Sequence, residues 1–150
     1  MTREEFIQIL DEKDYSYEIE GDKLVVTEDE DGTVYLQSLE TLPPGVEFKN
    51  KGDVLLESLE TLPPGVEFNN GEDVNLNSLK TLPPGVEFNN GGYVFLDSLK
   101  SISPGVKFNN GGDVYLDSLT GYYFHEWKDN VEGISPNTLL NGMIKRGIFL

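Results

Sequence analysis

Residues able to carry out covalent chemistry are few here and poorly grouped. The single histidine, His125, stands among Tyr122, Tyr123, Phe124, Glu126 and Trp127. With no second histidine and no cysteine, neither a histidine metal cluster nor a thiolate zinc site can be assembled. A Ser–His–Asp relay at His125 would call for a strained nucleophile turn, and no such sequence is present. The aromatic segment is read instead as a lid over the last turn of the fold, because its rings bring a large apolar area. Asp29-Glu30-Asp31-Gly32 has the charge of a calcium loop but lacks its spaced ligands and distal glutamate, so it is read as a solvated acidic turn. The recurring Asn-Gly-Gly does not open a helix, which argues against a phosphate loop. No catalytic residue, metal or cofactor is expected, and the chain is read as a non-enzyme.

Recognition chemistry is better represented. Tyr35, Leu55, Asn75, Phe95 and Tyr115 occupy one position of a recurring unit, each between a valine and a leucine. Side chains alternate along an extended backbone, so this column faces outward if the valines and leucines face inward. Tyr93, two positions before Phe95, shares that face. A contiguous exposed patch of aromatic and aliphatic groups suggests an interaction surface. Tyr35, Leu55, Tyr93, Phe95 and Tyr115 are the predicted partner contacts.

Two further columns are polar. One reads Gln37, Glu57, Asn77, Asp97 and Asp117; the other reads Glu47, Glu67, Glu87 and Lys107. Like charges stacked at strand spacing repel unless solvent, a cation or a basic partner relieves them. The net charge is −16, from 27 acidic and 11 basic residues, and most of the acids fall at or before Glu60. Such a surface disfavours direct contact with nucleic acid or anionic membranes and attracts a basic protein partner. It also keeps a stacked β protein in solution.

These columns depend on a 20-residue period, the mark of a solenoid. Units begin at Thr33, Asp53, Asp73 and Tyr93, and a fifth opens at Asp113. Val34 and Leu36, with their counterparts, predict a first strand. Val46 and Phe48, with theirs, predict a second. Leu39 and Leu42 and their equivalents lie between, so each full unit offers six apolar side chains to the interior. Pro44-Gly45 and its copies read as type II turns, with proline setting φ and glycine accepting the positive φ that follows. The asparagines at 50, 70, 90 and 110, each followed closely by glycine, are read as a second turn that tolerates left-handed backbone. Stacking would also align Ser38, Ser58, Ser78, Ser98 and Ser118, and the asparagines, into hydrogen-bonding ladders.

Residues 1–32 depart from the repeat. Thr2 and Glu5 have capping-box spacing ahead of an amphipathic helix over residues 3–13. Tyr15–Glu20 and Lys23–Thr27 flank Gly21-Asp22 as a hairpin. Residues 121–150 are read as a helical cap, with Ser135-Pro136 opening a helix that ends near Gly147. Solenoids expose apolar ends, so caps are expected. The predicted fold is one domain: a mainly β, short β-solenoid over residues 33–120, with α-containing caps at 1–32 and 121–150.

The Leu-x-x-Leu-Pro-Pro segments at Leu39–Pro44, Leu59–Pro64 and Leu79–Pro84 resemble the short, LPX-type leucine-rich repeats of bacteria and their phages. The resemblance covers residues 33–120 and implies a binding role. The asparagine usual after the Leu-x-Leu strand is missing, which favours a flatter β-coil over a horseshoe. The leading expectation is a non-catalytic protein-binding module. The alternatives are an acidic decoy that imitates nucleic acid to block a DNA-binding protein, and a structural or assembly component of viral kind. No signal peptide is read at Met1-Thr-Arg-Glu-Glu, and no apolar stretch reaches the roughly 20 residues a membrane span requires. A cytoplasmic setting, in a bacterium or a phage-infected cell, is the default.

Overall fold

The chain opens with the element its spacing predicts. In the computed structural model, which describes residues 1–28, 30 and 32–118 and the backbone of 131–132, α1 spans Arg3–Glu12. Thr2 caps it, its Oγ1 accepting from the Glu5 amide at 3.1 Å. Phe6 and Leu10, one turn apart on the same face, are fully buried. At the other end the Tyr15 amide donates to Leu10 O and the Asp14 amide to Asp11 O, the paired bonds of a Schellman stop. Asp14 provides the left-handed residue there, at φ 59. A glycine removes the Cβ penalty of that conformation. Asp14→Gly is therefore expected to gain about 0.5–1 kcal/mol in urea denaturation; a loss of stability would show that the aspartate side chain itself holds the turn.

The hairpin β1 (Tyr17–Glu20) and β2 (Lys23–Val26) pairs antiparallel, with Glu20 opposite Lys23. Gly21 takes φ 63 while Asp22 keeps negative φ, as a II′ turn demands. From there the chain coils, laying down two short strand pieces in each repeat unit. The first pieces are β3 (Val34–Tyr35), β5 (Val54–Leu55), β7 (Val74–Asn75), β9 (Val94–Phe95) and β11 (Val114–Tyr115). They form a parallel five-stranded sheet in which each residue faces its counterpart one coil away. The second pieces are β4 (Val46–Phe48), β6 (Glu67–Phe68), β8 (Glu87–Phe88) and β10 (Val106–Phe108), and they build the other sheet. The result is a mainly β solenoid of about four turns with one short N-terminal helix.

Strands outside the repeat, β1 and β2 at one edge and β12 (Val131–Glu132) at the other, extend this second sheet to seven. β2 pairs parallel with β4, placing Leu24 beside Val46 and Val26 beside Phe48. The segment expected only as a cap therefore also serves as a half-coil that the stack grows from. At the far end β12 pairs parallel with β10. The predicted cap over 121–150 thus contributes a strand, which its reading as helical did not include. Its helix from Ser135, the aromatic segment around His125 and Leu119, the last member of its column, lie outside the described residues.

All six apolar columns point inward. Val34, Leu36, Leu39, Leu42, Val46 and Phe48 are buried in the first coil, as are their counterparts in the next three. Phe48, Phe68, Phe88 and Phe108 stack nearly parallel along the axis, with ring centroids 5.6, 5.2 and 5.2 Å apart. Burying a side chain of this size stabilises by about 1.5–3 kcal/mol. No coil can close such a column alone; each relies on the next. α1 seals the first open end by covering it with Phe6 and Leu10.

The two turns differ in kind. Gly45, Gly65, Gly85 and Gly105 take φ between 77 and 79, the type II geometry that Pro-Gly predicts. The asparagine turn does not use left-handed backbone, contrary to expectation; none of its residues has positive φ. Its glycines are required by close approach instead. A Cβ on Gly71 would overlap Lys51 O, and one on Gly91 would overlap Gly71 O. The asparagine ladder exists, but it joins side chain to backbone and not amide to amide. Asn70 Nδ2 donates to Gly52 O in the preceding coil at 3.1 Å, and to Asp73 O, three residues on, at 3.0 Å. Asn50 and Asn90 repeat the arrangement, and all three are buried. Three carbonyl oxygens surround Asn70 Nδ2, which fixes the orientation of its carboxamide.

The serine column forms no ladder: among the described residues no hydrogen bond joins one of these hydroxyls to another. Coil-to-coil bonds come from the adjacent column, where Asn77 Oδ1 accepts from the Asp97 amide and Asp97 Oδ1 from the Asp117 amide.

Candidate functional site

The outward column follows from strand alternation, and the structure places it as the period implies. Tyr35, Leu55, Asn75, Phe95 and Tyr115 are register partners across the five-stranded sheet. Tyr35 and Tyr93 are each 43% exposed and Tyr115 is 36% exposed, while Leu55 and Phe95 are half-buried. The five predicted contacts do not form one continuous patch. Asn75 interrupts the stripe, leaving Tyr35 and Leu55 at one end and an aromatic cluster at the other.

That cluster has a defined geometry. Phe95 and Tyr115 stack with centroids 4.9 Å apart and planes within 5°. Tyr93 stands perpendicular to both, edge-on, at 6.2 Å from Phe95 and 5.9 Å from Tyr115. Both arrangements are favourable for aromatic pairs and hold the three rings as a unit. Desolvation by its neighbours pushes the Tyr115 phenol up from its ordinary pKa, and the charge of Asp113 adds to it, followed by Tyr93, Asp117 and Asp73. The phenol stays neutral, with carboxylates close by.

Tyr93 reaches the cluster by breaking a ladder. Immediately before the first strands lie Thr33, Asp53, Asp73, Tyr93 and Asp113. Thr33 Oγ1 accepts from the Asp53 amide, Asp53 Oδ1 from the Asp73 amide at 2.9 Å, and Asp73 Oδ1 from the Tyr93 amide at 2.8 Å. A carboxylate at position 93 would continue the series; the chain carries a phenol ring instead. Room for it comes from Gly112, where a Cβ would overlap the Tyr93 ring. Sequence reading found Tyr93 by alternation but missed that it displaces an acceptor; the column Thr, Asp, Asp, Tyr, Asp was the available signal.

The acidic column on the other sheet is relieved from within. Lys23 on β2 reaches past the first coil to Glu67 at 3.1 Å and lies 4.0 Å from Glu47. Lys49 lies 3.6 Å from Glu47, and Lys107 lies 3.8 Å from Glu87. Asn69 Nδ2 donates to Glu47 Oε1 at 2.9 Å. The hydrogen bond to Glu67, then the charges of Glu47 and Glu67, raise the Lys23 ammonium above its ordinary pKa. The chain's own lysines thus do here what the column alone assigned to solvent, a cation or a partner.

A cleft of about 160 Å³ opens between the Pro-Gly turns of the second and third coils, lined by Pro64, Val66, Glu67, Pro84, Val86 and Glu87. Its two carboxylates already face Lys23 and Lys107. Among the described residues no group of three or more histidine, cysteine or acidic side chains is placed to hold a metal ion. Of the acidic turn before the first coil, Asp29 and Asp31 lie outside the described residues. Glu28 is buried and ties the turn down, accepting from the Ser16 and Glu30 amides. No helix among the described residues is long and apolar enough to cross a membrane. Compared with protein-family models, with curated proteins and with solved structures, the chain finds no match.

Proposed function

We propose that this protein is a non-catalytic protein-binding module, acting in the cytoplasm, whose contact surface centres on Tyr93, Phe95 and Tyr115 and extends along the same face to Leu55 and Tyr35. The observation that carries the reading is the substitution of Tyr93 for a ladder carboxylate. The coil gives up a hydrogen-bonding position and gains an exposed ring packed against two others. Scaffold demands alone favour the aspartate. An aromatic cluster held on the outer face of a sheet is what interface cores are made of, and rings held in place lose little entropy on binding. The resemblance of the Leu-x-x-Leu-Pro-Pro coils to LPX-type leucine-rich repeats of bacteria and phages supports a binding role and a bacterial or phage setting.

The partner we propose is a protein with a basic contact surface. Asp73, Asp113 and Asp117 act on the Tyr115 ring through their charge, so a lysine or arginine reaching the cluster meets both a ring face and carboxylates. The nucleic-acid decoy has less behind it, because Glu47, Glu67 and Glu87 are neutralised by the chain's own lysines.

Affinity capture from a lysate of the native host, comparing wild type with a Tyr93, Phe95 and Tyr115 triple alanine variant, tests the site. Aromatic anchors of this kind each contribute about 2 kcal/mol or more, so the triple variant is expected to lose its partner, while circular dichroism confirms that it folds. Equal recovery of the same partner by a folded variant would remove this surface as the binding site.

A further inference from the structure

Three coils carry the dipeptide Asn-Gly at the asparagine turn: Asn70-Gly71, Asn90-Gly91 and Asn110-Gly111. Asparagine before glycine is reactive in an open chain. The glycine amide nitrogen attacks the asparagine side-chain carbon, because no Cβ hinders its approach. A C–N bond forms to give a five-membered imide and ammonia leaves. Water then opens the imide to aspartate or to isoaspartate. The balance requires only water.

The coil opposes the closure of the imide from both sides. The nucleophile is engaged: the Gly71 amide donates to Asn50 O at 3.0 Å, Gly91 to Asn70 O at 3.0 Å and Gly111 to Asn90 O at 3.1 Å. The leaving group is engaged as well. Asn70 Nδ2 is held by Gly52 O, Glu72 O and Asp73 O, and Asn90 Nδ2 by Glu72 O and Tyr93 O. Asn70 and Asn90 are both buried. Asn110 keeps two bonds, to Gly92 O and Gly112 O, but is only half-buried.

The products do not fit the site that protected their precursor. Aspartate at position 70 or 90 presents oxygen where the coil supplies only carbonyl oxygens. Isoaspartate adds a backbone atom between residues whose hydrogen bonds are set by a strict coil-to-coil register.

We propose that Asn70-Gly71, Asn90-Gly91 and Asn110-Gly111 are latent self-modification sites, shielded by the stacked coils and released on unfolding, so that a chain left open converts to a form that cannot close again. Unfolding thereby becomes irreversible through a covalent change, a form of kinetic control distinct from aggregation. The inference does not depend on the binding role proposed above.

The test uses the whole protein. Samples are held in mildly alkaline buffer with and without concentrated urea, and peptide mapping by mass spectrometry follows the gain of about 1 Da at each asparagine. In urea, conversion is expected at positions 70, 90 and 110, with Asn50 lagging because Lys51 follows it. In buffer, positions 70 and 90 are expected to convert at least about ten-fold more slowly, in proportion to the small open population. After dilution from urea, chains that peptide mapping shows converted at position 70 or 90 are separated by ion exchange, and they are expected not to recover native circular dichroism, whereas chains unconverted at both positions recover it. Equal rates in the two samples, no conversion in urea, or native refolding of converted chains would each overturn the proposal.

Discussion

Asn70→Asp is expected to destabilise the solenoid by about 3–5 kcal/mol, the cost of an uncompensated charge in a buried site. Asn70 is 2% exposed, and its Nδ2 meets carbonyl oxygens at 3.0, 3.1 and 3.4 Å. A carboxylate offers those oxygens no hydrogen and adds repulsion. Asn70→Ala loses the same donors without adding charge, and is expected to cost about 1–3 kcal/mol. The gap between the two variants measures the charge. It has a pH signature that follows from linkage. The introduced carboxyl, desolvated among carbonyl oxygens, has a folded-state pKa above its unfolded value. The charge part of the penalty is therefore absent while both states are protonated, below about pH 3, and grows as pH rises through the interval between the two values, whereas the cost of the lost donors remains at every pH. Urea titrations of Asn70→Asp and wild type at acidic and neutral pH check this. A pH-independent difference would mean that the carboxylate has found solvent or a donor, and that the coil is looser here than described.

The second large effect belongs to the phenylalanine column. Phe68→Ala is expected to cost about 3–5 kcal/mol. Phe68 is fully buried and packs against Phe48 on one side and Phe88 on the other. Truncation leaves a void that neither neighbour can fill, since each is fixed in its own coil by the hydrogen bonds beside it. In a chain of this length the loss lowers Tm by roughly 2–4 °C per kcal/mol. The damage is also expected to be local in its first appearance, because coils are coupled to their nearest neighbours. The Asn69 and Asn89 amides donate to Phe48 O and Phe68 O at 2.8 Å. Their hydrogen exchange should accelerate more than that of Leu24 or Val26 in the first cap. Uniform acceleration across the chain would show a solenoid that opens only as a whole.

The interior was readable from the primary structure because its rules are short-range and repeated. Alternation puts Val34 and Leu36 on one side of the chain and Tyr35 on the other, and the recurrence of the pattern in every unit leaves no second interpretation. Pro44-Gly45 has one inexpensive backbone solution, and φ at Gly45 shows it was taken. Less legible were features that depend on what a neighbouring coil presents. Gly71 looks like a residue chosen for its φ, yet it is needed because Lys51 O passes where a Cβ would be. Leu24 and Val26 pair with Val46 and Phe48 out of step with the repeat, so the period does not reveal them. Val131-Glu132 repeats the Val-Glu of the second strands, but it too lies out of phase with its partner Val106-Lys107 and is hidden in the same way. Lys23 offers no sequence hint that it spans two coils to reach Glu67. At the candidate surface, alternation puts the residues on one face, but only ring geometry shows that Tyr93, Phe95 and Tyr115 form a unit apart from Tyr35 and Leu55.

The sameness of the coils carries a hazard of its own. A chain whose Val, Leu and Phe columns are interchangeable can condense with one unit paired to the wrong neighbour, and the misaligned core would be almost as well filled. What tells the units apart are their misfits. Ser103, standing where the other units have proline, donates to Leu82 O at 2.6 Å. Lys107 stands 3.8 Å from Glu87, where a glutamate from another unit would repel. Tyr93 needs a glycine at position 112 beyond it, and Glu72 stands alone in a column that otherwise reads Gly52, Gly92 and Gly112. These irregular residues act as address labels on otherwise identical pages, so the apparent imperfections of the repeat keep the pages in order.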